Sequence, residues 1–206
     1  MATPWPSKMR PMQGGEPMVM SPIPPDTTTS IVQTLVLYAL AEHQGGHARH
    51  LRVTAHGRSF SVEDDGRGHA IRREIDGAPY LNFIYGHLDY PHEEGQAKPV
   101  QLQGLGMSLI NRLCDELIVQ VRKPAATLEM RFHLGRLQSH TLTETANPQT
   151  GNRVAGTVHA DFSPLPADEG TLTRWLQRVA VTAPSLQLQF NGQALPRTVD
   201  TNEGAP

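Results

Sequence analysis

Two hydrophobic periods alternate along this chain, and their order predicts the elements. In TTTSIVQTLVLYALAEHQGG the apolar residues Ile31, Leu35 and Tyr38, with Val32, Val36 and Ala39 beside them, repeat at helical spacing and cover a wide face. Ser30 can cap this helix, and Gly45-Gly46 can end it. The next stretch, HLRVTAHGRSFSVEDDG, changes to a period of two. Leu51, Val53 and Ala55 alternate, the chain turns near Gly57, and Phe60 and Val62 alternate again, a hairpin that delivers Asp64 and Asp65 to a strand end.

From His69 to Gln103 neither period holds, and a length of irregular chain is expected, of the kind that serves as a lid. GLGMSLINRLCDELIVQVRK then reads as a helix through Leu109, Ile110 and Leu113 running into a strand through Leu117, Val119 and Val121. TLEMRFHLG, RLQSHTLTET and GTVHADFSP continue as antiparallel strands, the last two joined through a turn region at 147–152. EGTLTRWLQRVAVTAP carries Leu172, Trp175, Leu176 and Val179 on one helical face and stops at Pro184. An Asn-Gly hairpin in LQLQFNGQAL closes the pattern. The expected fold class is α/β (α+β): a two-layer sandwich of a mixed, mostly antiparallel sheet covered by helices on one face.

Composition narrows the function. Residues 1–26 are rich in proline and methionine without periodicity and are expected to be a disordered arm; 27–195 form one domain with its lid at about 69–103, and 196–206 form a disordered tail. With 18 basic and 20 acidic residues, the formal charge of −2 gives no electrostatic footprint for direct nucleic-acid binding. A lone cysteine, Cys114, in an apolar stretch is expected to be a buried thiol in a reducing compartment. The N-terminus lacks a signal-peptide core, and no apolar run is long enough to span a membrane, so the expected location is cytoplasmic. His43 and His47 stand at helical spacing without a third ligand, so no metal site is expected there.

Two stretches carry candidate chemistry. VEDDGRGHAIRRE places two aspartates and two glycines at a strand end, more than a tight turn requires. GLGMSL opens a helix with glycines, where outward backbone N–H groups suit a phosphate. Together, DDGRG, a long lid, GLG at a helix start and GT in a later strand resemble the GHKL or Bergerat-fold ATP-binding domain, and within it the ATPase domain of the gyrase B and topoisomerase IV B proteins. The likeness runs from about Ile31 to Leu195 in the family's order.

The resemblance implies ATP as ligand and assigns roles. Asp64 would accept from the adenine amino group, with Thr157 assisting through water, and Gly66 and Gly68 would let the backbone pass under the base. Arg67 would pair with Glu42 at the pocket mouth, while Gly104, Gly106 and the Met107 amide would wrap the phosphates. Lys98 resembles a lid lysine, and Arg122 ends a strand near the site.

The pattern departs from the family where hydrolysis is concerned. The general-base position holds Thr34 and the Mg²⁺-ligand position holds Tyr38; neither residue type can do that work. Catalytic residues are therefore expected to be absent, and Mg²⁺ lacks its ligand. A chain that stops at 206 would also lack the transducer and strand-passage portions of a topoisomerase. The expectation is a gyrase-B-like module that binds adenine nucleotide with weak or absent hydrolysis. As an accessory component it would meet a protein partner, or a second copy through the N-terminal arm. Two alternatives stand beside it: a histidine-kinase or anti-sigma-type kinase, whose glycine box GLGMSLINRL also resembles, and a scaffold that has lost its ligand.

Overall fold

A computed structural model describes residues 26–75, 77–86, 106–146 and 149–196. The first helix, α1, spans Thr27–Gln44, about a turn longer at its start than the apolar spacing implies. Asp26 is the cap, because its carboxylate accepts the Thr29 N–H at 3.0 Å. Thr27, Thr28 and Thr29 are buried, and the first two hydroxyls meet the Phe162 carbonyl and the Ser163 hydroxyl. Ser30 instead lies within the helix, and Gly45 ends it.

Strands β1 (His50–His56) and β2 (Ser59–Asp64) form the expected hairpin. Beyond it the chain is more ordered than its pattern suggests. β3 (Glu74–Ile75) pairs with β4 (Ala78–Pro79), and helix α2 (Tyr80–Gly86) follows. Leu81 and Tyr85 of α2, one turn apart, are 1% and 0% exposed, so this part of the anticipated lid belongs to the core. The rest of that span, 87–103, lies outside the described residues.

Helix α3 (Met107–Leu113) runs into β5 (Cys114–Lys123), followed by β6 (Ala126–His133), β7 (Arg136–Glu144), β8 (Gly151–Val158), helix α4 (Glu169–Thr182), β9 (Gln187–Phe190) and β10 (Gln193–Ala194). Eight of the strands make one sheet in the order β10-β9-β1-β2-β8-β5-β6-β7, antiparallel except where β9 runs parallel to β1. Asn191 and Gly192 take left-handed backbone in the β9–β10 turn, as an Asn-Gly hairpin requires. Burial alternates along β1, so Leu51, Val53 and Ala55 join Ile31, Leu35 and Leu176 in a core under the helices while the other face stays open. This is the two-layer α/β sandwich with a mixed, mostly antiparallel sheet. Cys114 is buried in that core, its thiol pushed up to about 12 by burial.

β8 begins at Gly151, five residues before the GT that marks it in the sequence. Gly151 and Asn152 look like turn residues, yet both are in the ladder beside β5, with the strand pairing β2 on its other side. That shift changes which residue stands beside Asp64.

Candidate functional site

β2 ends at Asp64, and its alternation turns Phe60, Val62 and Asp64 toward the covered face. The Asp64 carboxylate is consequently buried, 8% exposed, in the wall of a cavity of about 430 Å³. Leu35, Tyr38, Ala39 and Glu42 of α1, Val62 of β2 and Val154 of β8 line it together with Arg67, Gly68, His69, Tyr85, Met107, Lys123 and Asn152. The volume is within the roughly 300–1,000 Å³ usual for small-ligand sites, and the walls combine apolar side chains with a few polar ones.

One oxygen of Asp64 accepts the Gly66 N–H at 2.8 Å, and the other accepts from Asn152 Nδ2 at 3.4 Å. Burial pushes the carboxyl above the ordinary aspartate range, and the nearby Glu42 adds to this, while the bonds from Gly66 and Asn152 pull the other way. Each oxygen has a second lone pair, so the group can still accept from a ligand's N–H. Asp65 points elsewhere. It takes the backbone N–H groups of Arg49 and His50 at 2.7 and 2.8 Å and meets the His50 ring at 2.6 Å, fastening the start of β1. Burial raises Asp65, but those bonds outweigh it and hold the carboxyl below its usual value.

The two glycines of DDGRG are required by the protein itself. A Cβ on Gly66 would stand 2.8 Å from Asp64 Oδ1 and 3.2 Å from Glu42 Cβ. Gly68 has φ +69°, and a Cβ there would meet the Arg122 carbonyl at 2.8 Å. The resemblance assigns the steric demand to a base; the structure places it on the turn.

Arg67 makes a two-pronged contact with Glu42, Nη2 to Oε1 at 2.7 Å and Nε to Oε2 at 3.1 Å, at the cavity's edge. That bond holds the Glu42 carboxyl below the usual range despite partial desolvation. Lys123 Nζ donates to the carbonyls of Arg67 and Gly68 at 2.7 and 2.8 Å, pinning the same turn, and burial draws its pKa down. His69, half-buried beside them, has its pKa drawn below the ordinary histidine value by desolvation.

Several predicted site residues stand elsewhere. Thr157 is not at the cavity: it pairs with Ser59 on β2, its hydroxyl 3.0 Å from that of Ser59. Five residues of strand separate it from Asn152, about 16 Å at 3.3 Å per residue. Asn152 occupies the place beside Asp64, and it also accepts the His69 N–H at 3.0 Å, tying turn and strand together. The turn composition of Gly151-Asn152 hides this residue in the sequence. Arg122 also misses the cavity. It is next to Lys123 on β5, so it projects to the opposite sheet face, where it binds Glu63 at 2.7 Å and the Asp64 carbonyl at 3.3 Å.

Thr34 is buried and donates its hydroxyl to the Ser30 carbonyl at 2.9 Å, whereas Tyr38, one turn on, lines the cavity. Gly106 caps α3 without a side chain and Met107 lines the cavity; Gly104 and Lys98 lie outside the described residues. His43 is engaged with the Ala48 carbonyl and the Ser185 hydroxyl, and among the described residues no group of three His, Cys, Asp or Glu side chains could hold a metal.

This architecture is the Bergerat (GHKL) fold of the gyrase-type ATP-binding domains. Among solved structures, the chain superimposes on the topoisomerase IV ATP-binding domain of Francisella tularensis, in complex with a small-molecule inhibitor, with TM-score 0.65 and 17% identity, covering 79% of this chain and 80% of that one. It superimposes on the 43K ATPase domain of Thermus thermophilus gyrase B, in complex with an aminocoumarin, with TM-score 0.66 and 23% identity over 81% of this chain and 45% of that one. By sequence it is 31% identical over 120 residues to the type 2 topoisomerase B protein of Aquifex aeolicus (strain VF5), 52% of this chain. It is 24% identical over 188 residues to the chloroplastic/mitochondrial DNA gyrase B protein of Oryza sativa subsp. japonica, 84% of this chain. The matched regions span 14% and 26% of those two proteins. No family model matches the chain. Among the described residues no helix is long and apolar enough to cross a membrane.

Proposed function

We propose that the cavity at Asp64 binds an adenine nucleotide and that the chain turns it over weakly or not at all, acting as an accessory or regulatory module. One observation carries the reading: a buried carboxylate with acceptor capacity to spare faces an apolar-walled cavity. Such a group recognises a ligand that presents an N–H donor from a flat apolar body, and the amino edge of adenine does so. Val62, Val154, Leu35 and Met107 supply the apolar surface for the ring.

ATP fits this set of residues at its base. Arg67 and Lys123 are the cations lining the cavity among the described residues, and the Met107 amide, at the start of α3 after Gly106, would face the phosphates. Mg²⁺ does not fit the places the resemblance assigns. The Thr34 hydroxyl is committed to the Ser30 carbonyl, and burial raises the Tyr38 phenol so that it stays protonated, a poor ligand for a hard cation. Thr34 is likewise no base for activating water. The N-terminal arm is proposed as the contact to a partner protein or a second copy.

Calorimetric titration of ATP with and without Mg²⁺, followed by a phosphate-release assay on the same sample, tests the reading. Binding of similar affinity in both titrations with no release is expected. Absence of binding would overturn it, and steady phosphate release would overturn its hydrolytic half.

A further inference from the structure

The outermost strand of the sheet, β7, is exposed along its whole length, and among the described residues no strand pairs with its outer edge. Such an edge presents a ready ladder of N–H and C=O groups, which proteins ordinarily blunt with Lys, Pro or a bulge. β7 has one bulge, at Gln138, where Leu137 pairs with Phe132 and Ser139 with Arg131. Beyond it, Ser139 to Glu144 pair regularly with β6, and the run contains neither Lys nor Pro. Leu142 stands opposite the buried Leu128, on the core side of the sheet, yet is itself 39% exposed. The apolar layer therefore runs on past the last strand.

One bond fixes which backbone groups point outward. The Thr145 N–H donates to the Ala125 carbonyl at 3.0 Å, on the β6 side. Backbone groups alternate sides along an antiparallel ladder, so Thr143, Thr141 and Ser139 also face β6, while His140, Leu142 and Glu144 face the open edge. Those outward residues are centred on Leu142 in the run His-Thr-Leu-Thr-Glu. Laid antiparallel on a second copy about a two-fold axis at Leu142, the run matches itself: Leu142 meets its counterpart, Thr141 meets Thr143, and His140 meets Glu144. The outward N–H and C=O groups of His140, Leu142 and Glu144 then all find partners, and each Leu142 covers the other. Glu144 binds Arg72 through Oε1, and its carboxylate has lone pairs left for the His140 ring. We propose that the outer edge of β7 is a homodimer contact, at which a second copy of this chain adds its own β7 in this register. It is separate from the contact proposed for the N-terminal arm and does not involve the Asp64 cavity.

Sedimentation equilibrium of the full chain over a concentration series, together with cysteine cross-linking, tests this. The wild type should form dimers, and Leu142→Lys should associate about tenfold more weakly or less, because two ammonium groups would face each other across the axis. Leu142→Cys should give a disulfide-linked dimer on mild oxidation, since directly opposed residues in such a pair lie ~5.5 Å apart at Cα, within the ~4.4–6.8 Å that a disulfide spans. Leu137→Cys, of similar exposure on the same strand, should not, because this register separates the two copies of that residue by about ten positions, roughly 33 Å. The native Cys114 is buried and does not compete. These cysteine variants decide the matter even if Leu142→Lys fails to fold. Cross-linking at both positions, or at neither, would overturn the inference. A wild type that stays monomeric at ~1 mM, the weak end of measurable association, would overturn it too, as would a dimer that Leu142→Lys leaves at wild-type affinity.

Discussion

Asp64 is a carboxylate in surroundings that oppose its charge, and that sets two pH dependences of opposite sign. Its folded-state pKa stands above the unfolded value, so its contribution to stability is greatest at low pH and is lost as the pH rises through the raised value. Ligand binding runs the other way, because only the carboxylate form accepts from an amino group. ATP affinity should therefore fall on acidification at a pH above ~3.9, where an ordinary aspartate titrates. Titrations across a pH series check this, and an affinity that stays flat until an ordinary aspartate would protonate contradicts it. Glu42, held low by Arg67, remains charged through that window; its contribution to stability is present above the ordinary glutamate pKa and is lost as the pH falls through the lowered value. Gly68 sets a steric limit at the same turn. Gly68→Ala should cost about 1–3 kcal/mol in urea unfolding, since a Cβ must adopt left-handed backbone and meet the Arg122 carbonyl.

At the level of elements, the part of the chain expected to be a lid contributes to the core through α2. Truncating Leu81 to alanine should cost about 2–5 kcal/mol, the range for a fully buried leucine. A loss under ~0.5 kcal/mol, typical of an exposed position, would show that α2 is not packed as described. The same helix shows what the sequence can reveal. The period-two hairpin ending at Asp64 and the four-residue apolar rhythm of α4 are legible because several turns or alternations repeat the signal. α2 has a single buried pair, Leu81 and Tyr85, too short a run to register as a period. β8 reads five residues late because its first two residues, Gly151 and Asn152, have turn composition but are held in the ladder by β5. Thr157 thus takes on paper a role for which Asn152 has the position, and nothing in the sequence marks Tyr85 although it lines the cavity.

Across the molecule, the sheet and helices form a Bergerat fold whose walls are unevenly equipped. On one side Asp64 offers an acceptor and Asn152 a tether; on the other stand Thr34, its hydroxyl bonded to the Ser30 carbonyl, and Tyr38, the two residues the resemblance aligns with a base and a metal ligand. A ligand held by its base should stabilise the whole domain without metal. At a hundredfold excess over the dissociation constant the gain is about 2.7 kcal/mol, which for a domain of this size raises Tm by about 5–10 °C. The most direct test of base recognition by Asp64 is calorimetric titration of ATP into the wild type and into Asp64→Asn, after confirming that both unfold cooperatively. Saturable binding by the wild type and at least a hundredfold weaker binding by Asp64→Asn are expected, because one acceptor oxygen becomes an NH2 donor, leaving a single oxygen to serve Gly66, Asn152 and the ligand donor. Equal affinities for the two proteins would contradict that role.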